Sequence, residues 1–198
     1  LLRLPQLPTT PPKGRTMSRL SIPAVADAPA ASQPLLAAVH KKLGVVPNLM
    51  KLLGQSPAAL EGFLSLSGAL DKGVLNAKLR ESLALAVAEF NGCDYCLAAH
   101  SYIGKNLVKL TDDEIAQARD GRAADARNDA ALRFAQRVAA ERGRVLDADI
   151  AALRAAGFSD AETVEIVLHV ALNVLTNYVN NVAHTDVDFP RVSAHTHA

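Results

Sequence analysis

Residues 93–100 read CDYCLAAH and contain both cysteines of this 198-residue chain. If the segment is helical, a turn of about 100° per residue brings Cys93, Cys96 and His100 into one sector of the helix surface. The dipeptide Asn91-Gly92 directly before it breaks a long apolar run, which predicts that the cysteines open a new helix. A helix N-terminus and a nearby imidazole both favour the thiolate form of cysteine. The segment therefore predicts a reactive dithiol at a helix start.

Four interpretations of the cysteine pair are open at this point. A redox pair must close into a disulfide and reopen, and the spacing of Cys93 and Cys96 allows this with little backbone movement. A metal site would use both cysteines and His100, with Glu81 or His184 as a fourth ligand, although a second cysteine pair is missing. A structural disulfide would close a short loop and stabilise weakly, and two buried, inert thiols are the last interpretation. The spacing favours redox chemistry.

The residues on either side of this segment predict helices. Asn76 is the expected N-cap of a helix that runs through Phe90 and is nearly buried, because its apolar residues cover more than one face. Further along, 111–114 and 159–162 have the sequence of capping boxes, and Asp147 is expected to cap a short helix. No period-two alternation of useful length occurs. We therefore predict an all-α fold.

Two parts of the chain have a similar layout. The stretches GVL at 73–75 and GRVL at 143–146 each follow a predicted helix, and each is followed later by an apolar helix and the dipeptide Ala-His. The similarity indicates a possible internal duplication within the helical fold.

The two ends of the chain set the limits of the predicted domain. Residues 1–19 are rich in proline and are predicted to be a disordered extension. Residues 20–190 are predicted to form one helical domain, and residues 191–198 a C-terminal tail in which His195 and His197 have no role.

Charge and hydropathy argue against two kinds of partner. The formal net charge is +1 and no basic run exceeds Lys41-Lys42, so no nucleic-acid partner is expected. Apolar stretches such as 83–88 are much shorter than a membrane span, so no membrane partner is expected either. Cysteines confined to one CxxC pair favour a reducing compartment, and we expect a cytoplasmic protein.

Glu81 lies 12 residues before Cys93, in the helix that is predicted to be buried. A carboxylate in that position needs a partner or a raised pKa. Glu81 belongs either to a proton relay with His100 and the thiols, or to an ordinary ion pair with Lys78 or Arg80 at the helix start. The spacing alone supports both interpretations.

The arrangement of these residues resembles the active-site motif of AhpD-like alkylhydroperoxidases, which belong to the carboxymuconolactone decarboxylase superfamily. The motif matches at Glu81, at the CxYC sequence that starts with Cys93, and at His100. The stretches GVVPN at 44–48 and NYVNNVAHTDVDFP at 177–190 resemble the peroxidase-related members of the family. The resemblance therefore extends over nearly the whole predicted domain.

The resemblance implies a fold, an assembly and a chemistry. The fold would be all-helical and internally duplicated, assembled into homo-oligomers that are trimers or hexamers. Cys96 would be the thiolate that meets a small-molecule hydroperoxide, and Cys93 would be the resolving thiol. His100 and Glu81 would move the proton. An external dithiol, of lipoamide type or on another protein, would supply electrons, and neither a cofactor nor a metal is implied.

Two further features bear on this assignment. Tyr95 stands where some characterised AhpD enzymes have a histidine, and a phenol with an unperturbed pKa of about 10 is no base at neutral pH. A polar stripe on the last long helix could line the site, lie in a subunit contact or cross-link helices. The stripe consists of Asn173, Asn177, Asn181 and His184.

We therefore predict a thiol-dependent peroxidase or disulfide oxidoreductase that reduces alkyl hydroperoxides. Its candidate catalytic residues are Cys96, Cys93, His100 and Glu81. One alternative is a non-redox decarboxylase or hydrolase of the same superfamily that uses His100 and Glu81 as acid and base. The other is a non-catalytic, redox-sensing oligomer. Only the non-redox enzyme would keep full activity without Cys96.

Overall fold

The computed structural model of the chain describes residues 18–195. Residues 1–17, which make up most of the predicted extension, and His197 in the predicted tail lie outside the described residues. Between residues 18 and 195 the chain forms nine α-helices and no strand, which confirms the predicted all-α fold. The helices are α1 (Gln33–Leu43), α2 (Asn48–Leu53), α3 (Pro57–Leu70), α4 (Ala77–Phe90), α5 (Asp94–Ile103), α6 (Asp112–Arg119), α7 (Ala126–Ala140), α8 (Asp147–Ala155) and α9 (Asp160–Ala183).

Several helices start where the capping residues predict. The side chain of Asn76 accepts a hydrogen bond of 2.9 Å from the backbone N–H of the third residue of α4. Capping boxes of Thr111 with Glu114 and of Ser159 with Glu162 start α6 and α9. These local signals are confirmed.

The predicted capping role of Asp147 is wrong. Asp147 is the first residue of α8, and Leu146 occupies the N-cap position. Because leucine has no side-chain acceptor, the carboxylate of Asp149 reaches back and accepts the backbone N–H of Leu146 at 2.8 Å. The acid that stabilises the start of α8 therefore lies two residues further along the chain.

Helix α4 is the centre of the fold, and α5, α6, α7 and α9 all pack against it. Six consecutive residues, 83–88, are buried, so neighbouring helices cover every face of this segment. The prediction that this helix is nearly buried is confirmed for residues 83–88, whereas Phe90 at its end is 46% exposed. The same helix carries Glu81 and leads directly to the cysteine segment.

Both ends of the described chain return to helices around the cysteine segment. The backbone N–H of Arg19 donates to the carbonyl of Ala183, at the C-terminus of α9, at 2.6 Å. At the other end, the backbone N–H of Ala194 donates to the carboxylate of Asp94, the first residue of α5, at 2.9 Å. The segments next to both predicted boundaries therefore contact the helical body.

Helix length and composition bear on two further predictions. The longest helix, α9, has 24 residues, and no helix in the described part of the chain combines the length and the apolar character needed to cross a membrane.

Helix α4 has 14 residues, whereas α8 has 9 and is followed by the much longer α9. The possible internal duplication stays a prediction, since helix lengths alone do not test it.

Candidate active site

Both cysteines lie where α4 turns into α5. Gly92 has a positive φ of 60° in the turn after α4, and Cys93 is the N-cap of α5. The Sγ atom of Cys93 accepts the backbone N–H of Cys96 at 3.3 Å, so a thiol takes the place of the usual capping hydroxyl. The prediction that the dithiol opens a new helix is confirmed.

The two sulfur atoms are in contact and reduced. Cys93 and Cys96 are free thiols whose Sγ atoms lie 2.7 Å apart, with Cys93 donating to Cys96. The hydrogen bond to Cys96 and burial raise the pKa of Cys93 well above its ordinary value. Cys93 therefore keeps its proton at neutral pH, and the thiolate belongs on Cys96.

The surroundings of Cys96 favour its thiolate despite its burial. Burial raises the pKa of Cys96, but the hydrogen bond from Cys93, the charge of His100 and the nearby amides outweigh it and lower the pKa to about 7. Asn180 donates from Nδ2 to Cys96 Sγ at 3.3 Å. The amide of Asn177 also lowers the pKa of Cys96, although its Nδ2 atom makes no hydrogen bond of good geometry among the described residues. Cys96 is thus substantially ionised at neutral pH.

His100 is held by Glu81. The Nδ1 atom of His100 lies 2.8 Å from Oε2 of Glu81, and the two side chains are 24% and 18% exposed. Burial lowers the pKa of His100, but the charges of Glu81 and Cys96 and the hydrogen bond to Glu81 raise it above its ordinary value overall. Lys78 and Arg80 pair with other carboxylates, so the alternative in which Glu81 forms a helix-start ion pair is wrong.

A cavity of about 300 Å³ reaches Cys96. Of the two cysteines, Cys96 contributes to its wall, together with His100 and Glu81. Most of the remaining wall is apolar and comes from Val39, Leu43, Leu49, Met50, Phe63, Leu64, Leu172 and Phe189. A larger cavity of about 680 Å³ lies between α7 and α8, and none of the predicted site residues lines it. A small molecule in the first cavity would meet the sulfur of Cys96 before that of Cys93.

Tyr95, between the two cysteines, joins three separate parts of the chain. Its hydroxyl donates to Oδ1 of Asp188 at 2.8 Å and accepts the backbone N–H of Leu49 at 3.1 Å. The other carboxylate oxygen of Asp188 accepts the backbone N–H of Asn48 at 2.8 Å. Burial raises the pKa of Tyr95, so this phenol is a hydrogen-bond donor and not a base. The two family-like stretches outside the motif, which contain Asn48 and Asp188, therefore meet at Tyr95.

Helix α9 surrounds the dithiol with amides. Asn177 accepts a hydrogen bond from the side chain of Asn91 at 2.9 Å, and Asn181 donates to the carbonyl of Asn91 at 2.9 Å. Both bonds fasten α9 to the turn before the dithiol. Asn173 lines the cavity, whereas His184 lies at the end of the helix and lines a different pocket. The predicted stripe thus divides between cross-linking and cavity lining.

Asn180 and Asp188 are candidates that the sequence did not single out. The predicted stripe steps from Asn177 to Asn181 and passes over Asn180, which is 2% exposed and donates to the thiolate. A usable signal was that Asn180 follows Asn173 by seven residues, which places both on one helix face. Asp188 carries no local signal, because its two partners lie 93 and 140 positions away.

The part of the chain that the structure describes contains no cluster of ligands for a metal site. Among residues 18–195, no three histidine, cysteine, aspartate or glutamate side chains are grouped closely enough to hold a metal ion. His184, considered as a fourth ligand, lines a pocket separate from the one that His100 and Glu81 share.

Known proteins resemble this chain in sequence and in structure. The sequence profile of the carboxymuconolactone decarboxylase family matches residues 57–141, which span α3 to α7 and include the dithiol. The alkylhydroperoxidase AhpD core of an uncharacterized peroxidase-related protein from Ralstonia eutropha JMP134 is 30% identical, with a TM-score of 0.73, over 87% of this chain and 93% of that one. This chain is an AhpD-like member of the carboxymuconolactone decarboxylase superfamily. The predicted family is confirmed.

Two further structures share the fold of this AhpD-like protein. An uncharacterized peroxidase-related protein from Silicibacter sp. TM1040 is 26% identical, with a TM-score of 0.76, over 88% of this chain and 93% of that one. The debrominase Bmp8, in complex with 2,3,4-tribromopyrrole, is 20% identical, with a TM-score of 0.70, over 88% of this chain and 92% of its own. At that identity the likeness to Bmp8 concerns the fold alone. No curated protein matches the sequence.

Proposed function

We propose that this AhpD-like protein is a thiol-dependent peroxidase that reduces organic hydroperoxides with electrons from an external dithiol. The position of Cys96 carries the proposal: its sulfur, with a pKa lowered to about 7, lines a 300 Å³ cavity and contacts a second thiol. A thiolate at neutral pH, access for a small substrate and a resolving thiol are the requirements of this chemistry. The two peroxidase-related relatives support the same assignment.

In the first step, the Cys96 thiolate attacks the terminal oxygen of the hydroperoxide. The O–O bond breaks, Cys96 becomes a sulfenic acid, and an alkoxide leaves. His100 gives the alkoxide a proton, so that an alcohol is released. Because Glu81 occupies Nδ1 of His100, Nε2 is the nitrogen left to transfer that proton. Glu81 orients the imidazole and stabilises its charged form.

In the second step, Cys93 condenses with the sulfenic acid. Its sulfur already contacts that of Cys96 at 2.7 Å, so the S–S bond forms without large movement. The thiol proton of Cys93 and the sulfenic hydroxyl leave together as water. An external dithiol then reduces the disulfide by thiol exchange and is itself oxidised to a disulfide, while both cysteines regain their reduced form.

The lining of the cavity favours organic hydroperoxides over hydrogen peroxide. Aliphatic and aromatic side chains such as Leu49, Met50 and Phe63 form most of its wall, while His100 and Glu81 form a polar region beside the sulfur. An apolar tail gains free energy on this wall, and the peroxide group meets the polar region. At about 300 Å³ the cavity is at the small end of the range for ligand sites, so compact substrates are favoured.

The direct test follows the fully reduced protein by stopped flow with hydrogen peroxide, tert-butyl hydroperoxide and cumene hydroperoxide. We expect oxidation to be faster with the two organic peroxides, and turnover when dihydrolipoamide is supplied. Cys96→Ser should abolish oxidation and turnover. The matched variant, Cys93→Ser, should react once and stop at a sulfenic acid that dimedone traps. Oxidation of Cys96→Ser at the wild-type rate would overturn the proposal.

The same two variants separate the other candidate functions. A decarboxylase or hydrolase that relies on His100 and Glu81 would keep its activity without either cysteine. A redox sensor would form the disulfide in peroxide and yet show no turnover with the dithiol. A peroxidase combines loss of activity in Cys96→Ser with repeated turnover in the wild type.

A further inference from the structure

One helix carries most of the apolar surface that the described chain leaves exposed. Ten large apolar side chains between residues 18 and 195 are 38% to 65% exposed, and six of them lie on α9. These six are Val164, Val167, Leu168, Leu175, Tyr178 and Val182. Two more, Leu20 and Val74, lie in segments that hydrogen-bond to the two ends of the same helix. Eight of the ten therefore lie on or beside α9.

Six of the exposed residues of α9 follow a heptad pattern, which we call the outer seam. The outer seam consists of Val164, Leu168, Ala171, Leu175, Tyr178 and Val182, separated by alternating steps of four and three. This spacing is typical of helices that wind around a second helix. The seam runs along α9, which at 24 residues is about 36 Å long.

The outer seam is not the face that packs against the protein's own core. Buried residues of α9 such as Ile166, Asn173, Asn177 and Asn180 point to the interior, where the last two surround the dithiol. Helix α9 therefore has one apolar side in excess of what a single chain uses. An uncovered heptad seam of this length predicts a helical partner.

We propose that the outer seam packs against α9 of a second copy of this chain, antiparallel, about a twofold axis near residue 173. In this register Val164 meets Val182 of the second copy. Leu168 then meets Tyr178 of the second copy, and Ala171 meets Leu175 of the second copy. All three pairs are symmetric about the same position, so a single axis aligns the whole seam.

Side-chain size favours the antiparallel arrangement. At the centre the small Ala171 of each copy faces the larger Leu175 of the other, and further out Leu168 faces Tyr178. In parallel packing Ala171 would face Ala171 of the second copy, and Tyr178 would face Tyr178 of the second copy. It would leave a gap in one layer and crowd another, and both defects cost packing energy.

The helix dipoles of α9 favour the same orientation. The N-terminus of a helix is the positive end of its dipole, and the C-terminus is the negative end. Antiparallel packing places the positive end of one α9 beside the negative end of the other. The two acids of the first turn, Asp160 and Glu162, already contact Arg154 and Arg127 of the same chain. Parallel packing would place like ends of the two dipoles together.

This contact constrains the predicted assembly. A hexamer built from three dimers contains a twofold contact of this kind, whereas a simple trimer does not. The proposal does not depend on the peroxidase function, because the outer seam and the cavity lie on different sides of α9.

The test measures the mass of the full-length protein by light scattering at micromolar concentration. Leu168→Glu and Val182→Glu each place a charge in the seam, and we expect the mass to fall by a factor of two. Leu146→Glu changes a leucine that is 60% exposed, close to the 64% of Val182, but lies outside α9, so the mass should stay unchanged. Circular dichroism should be the same in all variants, because every substituted side chain is exposed.

Three outcomes would overturn the proposal. They are a monomeric wild type, a mass unchanged in both seam variants, and a threefold fall, which would indicate three helices around one axis. A charge swap then tests the register. Ala171→Glu and Leu175→Arg should each separate the copies, and the double variant should reassociate, because each glutamate meets an arginine of the other copy. In parallel packing like charges would meet, and a double variant that stays separated would exclude the antiparallel arrangement.

Discussion

The Nδ1 atom of His100 on α5 lies 2.8 Å from Oε2 of Glu81 on α4, across 19 positions of sequence. The contact joins the two helices that meet at the dithiol. Both residues line the cavity that reaches Cys96, so the pair faces the sulfur and the substrate space at once. In the proposed function the two side chains form one proton carrier: Glu81 fixes the imidazole, and the imidazole protonates the leaving alkoxide.

Glu81→Gln and His100→Ala should each slow oxidation of the reduced protein by about tenfold or more, because general acid catalysis typically contributes factors of 10² to 10⁴. The double variant should lose much less than the product of the two single losses, as residues that act as one unit do. Stopped-flow oxidation with cumene hydroperoxide measures all three rates, with circular dichroism to check folding.

Glu114→Gln is the matched control for this prediction. Glu114, like Glu81, pairs with a basic side chain of another helix, in this case Lys78 of α4. This pair is exposed and lies outside the cavity wall. Its loss should leave the oxidation rate unchanged. If Glu81→Gln reacted as fast as the wild type, the carboxylate would have no part in the proton transfer.

Alkylation of Cys96 by iodoacetamide should rise with pH and level off, with a midpoint near 7. The thiolate is the reactive form, and Cys93, His100 and the nearby amides lower the pKa of Cys96 to about 7 against the opposing effect of burial. Cys93 should react more slowly at each pH, because its hydrogen bond to Cys96 and its burial raise its pKa. Mass spectrometry of the labelled peptides measures both rates.

The same experiment on His100→Ala separates the charge of the imidazole from the other effects. Without that positive charge the thiolate is less stable, so the midpoint for Cys96 should move to higher pH. Preferential labelling of Cys93 in the wild type would reverse the assignment of the attacking and resolving thiols.

Features set by residues close in sequence were predictable. Caps at Asn76, Thr111 and Ser159 act within three positions, so a few letters of sequence identify them. Cys93 and Cys96 belong to the same helix start, and helical periodicity alone groups them. The capping role of Asp147 was wrong because a second acid two residues later satisfies the same requirement.

Features set by packing between distant segments were not predictable. Helix α9 carries three asparagines between 177 and 181, and the rotation of α9 against α5 decides that Asn180 is the one that donates to the sulfur. Periodicity places a residue on a face but does not fix that rotation. The bond between Tyr95 and Asp188 spans 93 positions, and no local pattern connects them.

Asn180→Ala should raise the pKa of Cys96 by about one to two units, because a hydrogen bond to a charged group contributes about 1.5–3 kcal/mol and one pKa unit corresponds to about 1.4 kcal/mol. The iodoacetamide profile should move to higher pH, and oxidation at pH 7 should slow several-fold. Asn181→Ala is the control, since Asn181 bonds to the carbonyl of Asn91 and not to the sulfur. An identical shift in both variants would indicate loosening of α9 and not loss of a specific hydrogen bond.

Tyr95→Phe should destabilise the fold by about 1.5–3 kcal/mol, because it removes a hydrogen bond to the carboxylate of Asp188. The loss should depend on pH. Burial raises the pKa of Asp188, and its hydrogen bonds from Asn48 and Tyr95 only partly oppose this. A raised pKa in the folded state contributes stability in acid, below the unfolded pKa, that is lost as pH rises through the folded pKa.

Removing the Tyr95 hydroxyl raises the pKa of Asp188 further, so the difference between Tyr95→Phe and the wild type should be larger at pH 7 than at pH 4. Urea unfolding at both values measures this difference. Tyr178→Phe is the matched control, because it makes the same change at a side chain that is 58% exposed in the single chain and lies away from Asp188. Equal stability of Tyr95→Phe and Tyr178→Phe at pH 7 would show that the bond to Asp188 does not hold the C-terminal segment against the dithiol. If the loss of stability in Tyr95→Phe were larger at pH 4 than at pH 7, the hydroxyl would act mainly on the protonated carboxyl of Asp188. A hydrogen bond donated to the ionised carboxylate gives the opposite trend.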